Sequence, residues 1–306
     1  MVATEGLAET FFHDEITVMK KTIQNEYLVA TVNSVGAELC SLKDRSGVEY
    51  IWQADPRVWP RHCPVLFPVV GKLVEQIYRY GGKEFRMPRH GFARDKEFQL
   101  VDSGRKHLEF KLLPDEDIRS QYPFEFELTV KYLLEENGLD VRYIISNPGE
   151  DILPFSIGAH PAFSCSWKRG DSIGDFYLEF EKQEEAERHF LEDGLLSERT
   201  EKILENDRIL KLDEHTFDQD ALLFMDIHSH RISLCSHKHK TRLALEYPSF
   251  PFVAIWSKPK AKFVSIAPWL GHADPVDMEG EIMTKPGIKR LDAGDSHECI
   301  HRIVIS

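Results

Sequence analysis

Apolar and polar residues alternate at period two through Phe124-Glu-Phe-Glu-Leu-Thr-Val-Lys-Tyr132, and the alternation resumes in Leu139-Asp-Val-Arg-Tyr143 after Asn137-Gly138. That period puts the apolar side chains on one face of an extended strand, and Asn-Gly tolerates the left-handed backbone of a tight turn, so the pair predicts a β-hairpin. Shorter runs rich in β-branched and aromatic residues predict further strands at Tyr27 to Val32, His107 to Leu112, Phe176 to Phe180, Arg231 to Cys235, Arg242 to Tyr247, Phe252 to Trp256, Lys262 to Ile266 and Ile300 to Ile305. Helical signals are few. Pro114 to Gln121 opens with a proline and an acidic first turn, and Gln183 to Phe190 reads as a charged, solvated helix. Strands broken by Pro, Gly and Asn, without intervening helices of βαβ type, predict an all-β, mostly antiparallel sandwich or barrel. No linker or fixed-period repeat interrupts it, so the expectation is one domain over 15–306 behind a short N-terminal extension, 1–14.

Composition narrows the class. A chain of 306 residues, 42% of them hydrophobic, can bury a sizeable core. No apolar run reaches about 18 residues, and Met1 to Phe12 lacks the basic, apolar and small succession of a signal peptide, so the expectation is a cytoplasmic protein that does not enter a membrane. Cys40, Cys63, Cys165, Cys235 and Cys299 are odd in number, scattered and free of any Cys-x-x-Cys pair, which predicts reduced core thiols. With 51 acidic against 38 basic side chains the net charge is -13, which repels nucleic acid and anionic lipid and favours a small neutral partner.

Two histidines stand in loop-like settings, His90 in Pro88-Arg-His-Gly-Phe-Ala-Arg-Asp95 and His160 in Ile157-Gly-Ala-His-Pro-Ala-Phe163. Gly91 allows close backbone approach and Pro161 holds its predecessor extended, so each imidazole can be fixed at a sheet edge and used for proton transfer near neutral pH. Either alone, among 14 histidines, is ordinarily a structural or exposed residue.

The order of motifs is more specific. Arg61-His-Cys-Pro-Val-Leu-Phe-Pro-Val-Val-Gly-Lys72 is followed by His90-Gly-Phe-Ala-Arg-Asp95, Ser156-Ile-Gly-Ala-His-Pro-Ala-Phe163 and Phe217-Asp-Gln-Asp-Ala-Leu222. Phe252-Val-Ala-Ile-Trp-Ser257, Ile266-Ala-Pro-Trp269 and Lys285-Pro-Gly-Ile288 complete the series. Over residues 15–306 the chain resembles the bacterial branch of the aldose 1-epimerase family. The resemblance implies a galactose mutarotase-like β-supersandwich, a cleft without cofactor or metal, and interconversion of the α and β anomers of a free hexose by ring opening, in a monomer or homodimer. It makes His160 the general acid at the ring oxygen, His90 its partner on the sugar and Asp220 the carboxylate that fixes hydroxyls. Lys72 stands where many relatives carry arginine, which keeps the charge and loses the planar fork.

Ala267 departs from that pattern. Relatives commonly read Ile-Glu-Pro-Trp where this chain has Ile266-Ala-Pro-Trp269, and the glutamate is their general base. A methyl accepts no proton, and general-base assistance is worth about 10²- to 10⁴-fold in rate. The expectation is a retained fold and sugar pocket, impaired turnover, room for a carboxylate at 267, and about a 10²-fold gain on restoring it unless another base serves. Asp274, His272 and Glu279, in the loop that follows, are the candidate substitutes.

Other readings stay open. Phe67, Phe92, Phe163 and Trp269 are candidates for a sugar platform, while Trp52, Trp59 and Trp256 are expected in the core. His228, His230, His237 and His239 alternate along strands, yet two imidazoles on one face do not converge on a metal without a third ligand, so no metal site is expected. Arg61, Lys72 and Arg94 also suit a phosphorylated hexose, and the vacancy at 267 suits a non-catalytic carbohydrate-binding protein.

Overall fold

A computed structural model describes residues 19–306; the extension assigned to 1–14 and the domain start at residue 15 lie outside the described residues. A 15-stranded antiparallel sheet organises the chain. Its order runs from Val65–Leu66 through Gly158–Ala159, Phe263–Trp269, Phe252–Trp256, Leu222–Phe224, Phe176–Glu192 and Arg231–Ser236. It continues through Leu243–Glu246, Ser296–Ile305, Gly138–Ser146, Glu127–Glu135 and His107–Leu112 to Gln99–Ser103. A three-stranded sheet at the N-terminal end and two short two-stranded sheets complete the all-β architecture. Strand neighbours are thus drawn from the whole chain, which is how segments distant in sequence meet.

The predicted hairpin forms between Glu127–Glu135 and Gly138–Ser146, but its turn is Glu136-Asn137, with Glu136 left-handed at φ 49°. Asn137 is drawn out of the second strand because its side-chain amide donates to the Ile305 carbonyl at 2.7 Å, tying the turn to the neighbouring strand. The helix predicted at 114–121 is Glu116–Gln121, capped by Asp115, whose carboxylate accepts from the Ile118 N–H at 2.7 Å.

Gln183 to Phe190 is not a helix. It belongs to the 17-residue strand Phe176–Glu192, paired with Leu195–Lys211. Positions 184, 186, 188 and 190 are buried and 183, 185 and 187 exposed, a period of two hidden by charged residues at inward positions. Glu184 is accommodated by accepting from the Ser229 N–H and hydroxyl at 2.7 and 2.6 Å, and the Arg188 guanidinium lies 4.0 Å over the Phe190 ring while pairing with Glu201. Asp193 and Gly194, at φ 49° and 81°, turn this hairpin in the two-residue manner that mirror-image turns allow.

An extended apolar cluster of the core includes an aromatic nest of Phe67, Phe92, Tyr122, Phe126 and Phe155. All five cysteines are buried free thiols, and burial pushes Cys40 up to about 11 and Cys299 to about 12, away from the thiolate. Among the described residues no helix is long and apolar enough to cross a membrane.

Candidate active site

The strands Gly158–Ala159, Phe263–Trp269, Phe252–Trp256 and Leu222–Phe224 lie side by side, and the residues at their ends face one cleft of about 350 Å³, within the range that holds a small ligand. His160 leaves the first of them, its N–H donating to the Pro64 carbonyl at 3.2 Å. Its Nδ1 lies 2.9 Å from Ser265 Oγ, and that hydroxyl lies 2.9 Å from the Pro161 carbonyl.

His90 is held by a reciprocal pair of bonds: its N–H donates to the Gly71 carbonyl at 2.8 Å, and the Gly71 N–H donates back to His90 Nδ1 at 3.0 Å. The loop that does this is strained, with His90 at φ 69°, and Gly91 after it at φ 72° sits where a Cβ would fall 2.1 Å from the Phe67 carbonyl. Only glycine fits at 91. The two imidazoles meet with centroids 5.9 Å apart, and His90 lies 5.9 Å from the Trp269 ring.

Burial sets the charge state of both rings. It pushes His90 well below the ordinary histidine range, with His160, Arg89, Arg94 and Arg61 acting in the same direction. It lowers His160 to about 4, against a backbone hydrogen bond that favours the cation and with Arg89, Arg94 and Arg61 adding to the depression. Both are neutral at pH 7.

Asp220, left-handed at φ 69°, lines the cleft, with its Oδ1 accepting from the Ala221 N–H at 2.9 Å. Arg94 lines it too, donating from Nη2 to the Arg89 carbonyl at 2.6 Å; burial first, then Arg61, bring it down to about 10. The predicted His90, His160, Asp220, Arg94 and Trp269 therefore share one cleft. Lys72 does not join them there. It reaches an adjoining groove, which also contains Asp220, and its Nζ holds the Asp193 carboxylate at 2.5 Å and carbonyl at 2.9 Å across the hairpin tip. Arg61 stands outside the cleft lining and pairs with Asp95 at 2.8 Å.

Among the aromatic residues Trp269 lines the cleft as expected and Trp52 does not, but five other assignments reverse. Phe67, Phe92 and Phe163 are buried in the core, where their apolar rings lose most contact with water. Trp59 and Trp256 line the cleft, their rings 5.2 and 5.9 Å from His160 and 5.6 Å from each other. Arg89 and Lys258, exposed on the rim, were also missed. Arg89 directly precedes His90, and a cation beside a motif histidine was the available signal.

Ala267 lies on the strand between Ser265 and Trp269, on the same face as Trp269 and opposite Ala254, both of which line the cleft. The methyl is fully buried among Leu66, Val70, Leu223, Ala254 and Trp269 and is not among the residues that line the cleft. The three substitute bases are elsewhere. Asp274 forms a buried ion pair with Lys285 at 2.9 Å, His272 Nδ1 donates to the Ala273 carbonyl at 2.8 Å beneath Phe252, and Glu279 is an exposed residue of the outer loop. His228 and His239 face Glu184 and Asp171 at 3.2 and 2.9 Å.

A large antiparallel sheet with a histidine pair and indole walls in one cleft defines a galactose mutarotase-like β protein. The chain belongs to the aldose 1-epimerase family, whose model matches residues 19–284. It is 34% identical over 295 residues to the chromosomal LacX protein of Lactococcus lactis, covering 92% of this chain and 98% of that one. Among solved structures it is similar to a galactose mutarotase related enzyme from Lactobacillus acidophilus, at 31% identity and a TM-score of 0.90 over 94% of this chain and 97% of the other. A galactose mutarotase-like protein from Lactobacillus casei follows at 30% and 0.87, over 94% and 100%.

Proposed function

We propose that the protein interconverts the α and β anomers of an aldose in the cytoplasm. The observation that carries this is the pair of neutral imidazoles, 5.9 Å apart, on a cleft walled by Trp59, Trp256 and Trp269. Indole faces suit the C–H face of a pyranose, and Asp220 and Arg94 offer an acceptor and a donor for its hydroxyls. Ring opening and closure move a proton and no electrons, so the reaction needs only groups that accept, donate and orient. Polarimetry of freshly dissolved α-galactose and α-glucose tests it: the protein accelerates the drift to equilibrium. Sugar binding without acceleration would establish instead the carbohydrate-binding reading that Ala267 favours.

A phosphorylated aldose is the second reading. Among the described residues three cations, Arg89, Arg94 and Lys258, face the cleft against one carboxylate, Asp220, in a chain whose net charge is -13. A sugar 6-phosphate that raises the melting temperature more than the free sugar at equal concentration would select it, since a ligand at 100 times its Kd stabilises by about 2.7 kcal/mol.

A further inference from the structure

We infer that His160 is the proton acceptor for the anomeric hydroxyl, with His90 as hydrogen-bond donor to the ring oxygen, so that the function vacated at Ala267 is supplied by the histidine pair. This reverses the roles that the family resemblance implies for the two imidazoles, and it rests on the anomer-interconverting reading.

The assignment follows from counting protons. The Gly71 N–H can only donate, so His90 Nδ1, 3.0 Å away, must be the bare nitrogen, and in the neutral ring the proton is on Nε2. At His160 the count runs the other way. Ser265 has one hydroxyl hydrogen and two oxygen or nitrogen neighbours at 2.9 Å, Pro161 O and His160 Nδ1. The carbonyl can only accept, so the hydroxyl donates to it and His160 Nδ1–H donates to Ser265 Oγ. That chain satisfies both contacts, whereas a hydroxyl turned to Nδ1 would leave two oxygen lone pairs facing each other at 2.9 Å. The neutral His160 ring is then bare at Nε2. Both Nδ1 atoms are engaged with the protein frame, which leaves both Nε2 atoms for the cleft that the two residues line: one donor, one acceptor.

Position 267 explains why a second acceptor matters. Its methyl is fully buried, Asp274 and His272 face other partners, and Glu279 is exposed on the outer loop. Asp220 is the carboxylate on the cleft lining among the described residues, and its Oδ1 is already bonded to the Ala221 N–H. Around His160 stand His90, Arg89, Arg94 and Arg61, with Lys258 and Asp220 on the same cleft lining; Arg89, Arg94 and Arg61 favour a neutral His160.

The proton path balances with one shuttle. His160 Nε2 takes the proton of the anomeric hydroxyl, and the electron pair of that O–H bond forms the C1 carbonyl. The bond from C1 to the ring oxygen breaks and its pair stays on that oxygen, which His90 Nε2–H stabilises by hydrogen bonding. Both oxygens are bonded to C1, so the imidazolium at His160 returns the same proton to the ring oxygen, directly or through one water. Rotation about C1–C2 and reversal of these steps close the ring on its other face. His90 stays neutral throughout, as a polarising donor.

Ring-nitrogen NMR of the full chain labelled at histidine reads the tautomers without mutation: the proton is expected on Nδ1 of His160 and on Nε2 of His90. His160→Ala is expected to lower kcat by about 10²- to 10⁴-fold, and added imidazole to restore turnover in proportion to its unprotonated form, so that rescue grows as pH rises. Ser265→Ala, which removes only a positioning hydroxyl, is expected to lower kcat about tenfold with KM unchanged and to let the His160 proton move to Nε2. Mutarotation by the unmodified chain together with a proton on His160 Nε2, or rescue that grows as pH falls, would overturn the base assignment alone. No mutarotation of free or phosphorylated aldose by the unmodified chain would overturn the functional reading and this assignment together.

Discussion

His90 and His160 meet edge to face, their ring planes at 85° and their centroids 5.9 Å apart, although one comes from a strained loop and the other from the end of an inner strand. A single hexose can touch both rings at that separation. Each ring is anchored through Nδ1 to a different kind of group, a backbone N–H for His90 and a serine hydroxyl for His160, and the difference makes two identical side chains chemically unlike.

The consequence at position 267 is testable. With His160 as acceptor, Ala267→Glu is expected to raise mutarotation by less than about tenfold, against the 10²-fold or more of a restored base. It is also expected to lower stability, because a carboxylate would replace a methyl that is fully buried between Ala254, Leu223 and Trp269. Ala267→Gln, of the same shape without basicity, separates the two effects. A gain of 10²-fold with glutamate and none with glutamine would return the base function to position 267.

Acid should loosen the fold in a defined window. Burial lowers His160 to about 4 and His301 to about 3, and His90 falls well below the ordinary range, while the unfolded chain titrates near 6.5. Between those values the unfolded state binds protons that the folded state refuses, so stability falls as pH drops from about 6.5 towards 4 and is fully present above 6.5. One pKa unit is about 1.36 kcal/mol, which makes His160 alone worth about 3 kcal/mol at pH 4. His301 stacks on Tyr143 at 5.7 Å, and its Nδ1 has no hydrogen-bond partner among the described residues. His301→Phe keeps the stack and removes one titration, so its melting curves should be less sensitive to acid than those of the unmodified chain. Equal sensitivity would show that His301 titrates alike in the folded and unfolded chain.

Period-two alternation made strands legible where inward positions were apolar, as at His107–Leu112 and Glu127–Glu135, and it failed at Gln183 to Phe190, where Glu184 and Arg188 point inward with polar partners. The same limit applies to the cleft. His90, His160, Asp220 and Trp269 were marked by their motifs, but whether a tryptophan or arginine faces core or cleft depends on which strands become neighbours. Trp59 and Arg89 reach the site, while Phe163 is buried in the core and Arg61 pairs with Asp95.

Asp274 is expected to be needed for folding and not for turnover. It is 2% exposed, faces Lys285 at 2.9 Å and accepts from the Val74 N–H at 3.0 Å, while Lys285 also donates to the His272 carbonyl at 2.8 Å. Removing one member of a buried pair strands the other charge at a cost of about 3 to 5 kcal/mol. Chemical denaturation of Asp274→Ala should show a loss of that size, and the kcat of its folded fraction should match the unmodified chain. A stable Asp274→Ala protein with abolished turnover would restore Asp274 as a candidate base.

Arg89 offers the sharpest discrimination between free and phosphorylated substrates. It lines both the main cleft and the adjoining groove, on the exposed rim, whereas Arg94 is tied to the Arg89 carbonyl and Lys72 to Asp193. A rim guanidinium adds little to binding a neutral hexose, yet it can give a phosphate a two-pronged, charge-assisted contact worth about 1.5 to 3 kcal/mol. Arg89→Ala should therefore weaken binding of a sugar 6-phosphate by roughly tenfold or more and leave free galactose and glucose within about twofold. Salt should act in the same sense, because screening at such exposed positions is strong. Calorimetric titration of both ligands against both proteins, at low and at physiological ionic strength, measures each arm. Equal affinities for the phosphorylated sugar before and after the substitution would remove Arg89 from phosphate recognition.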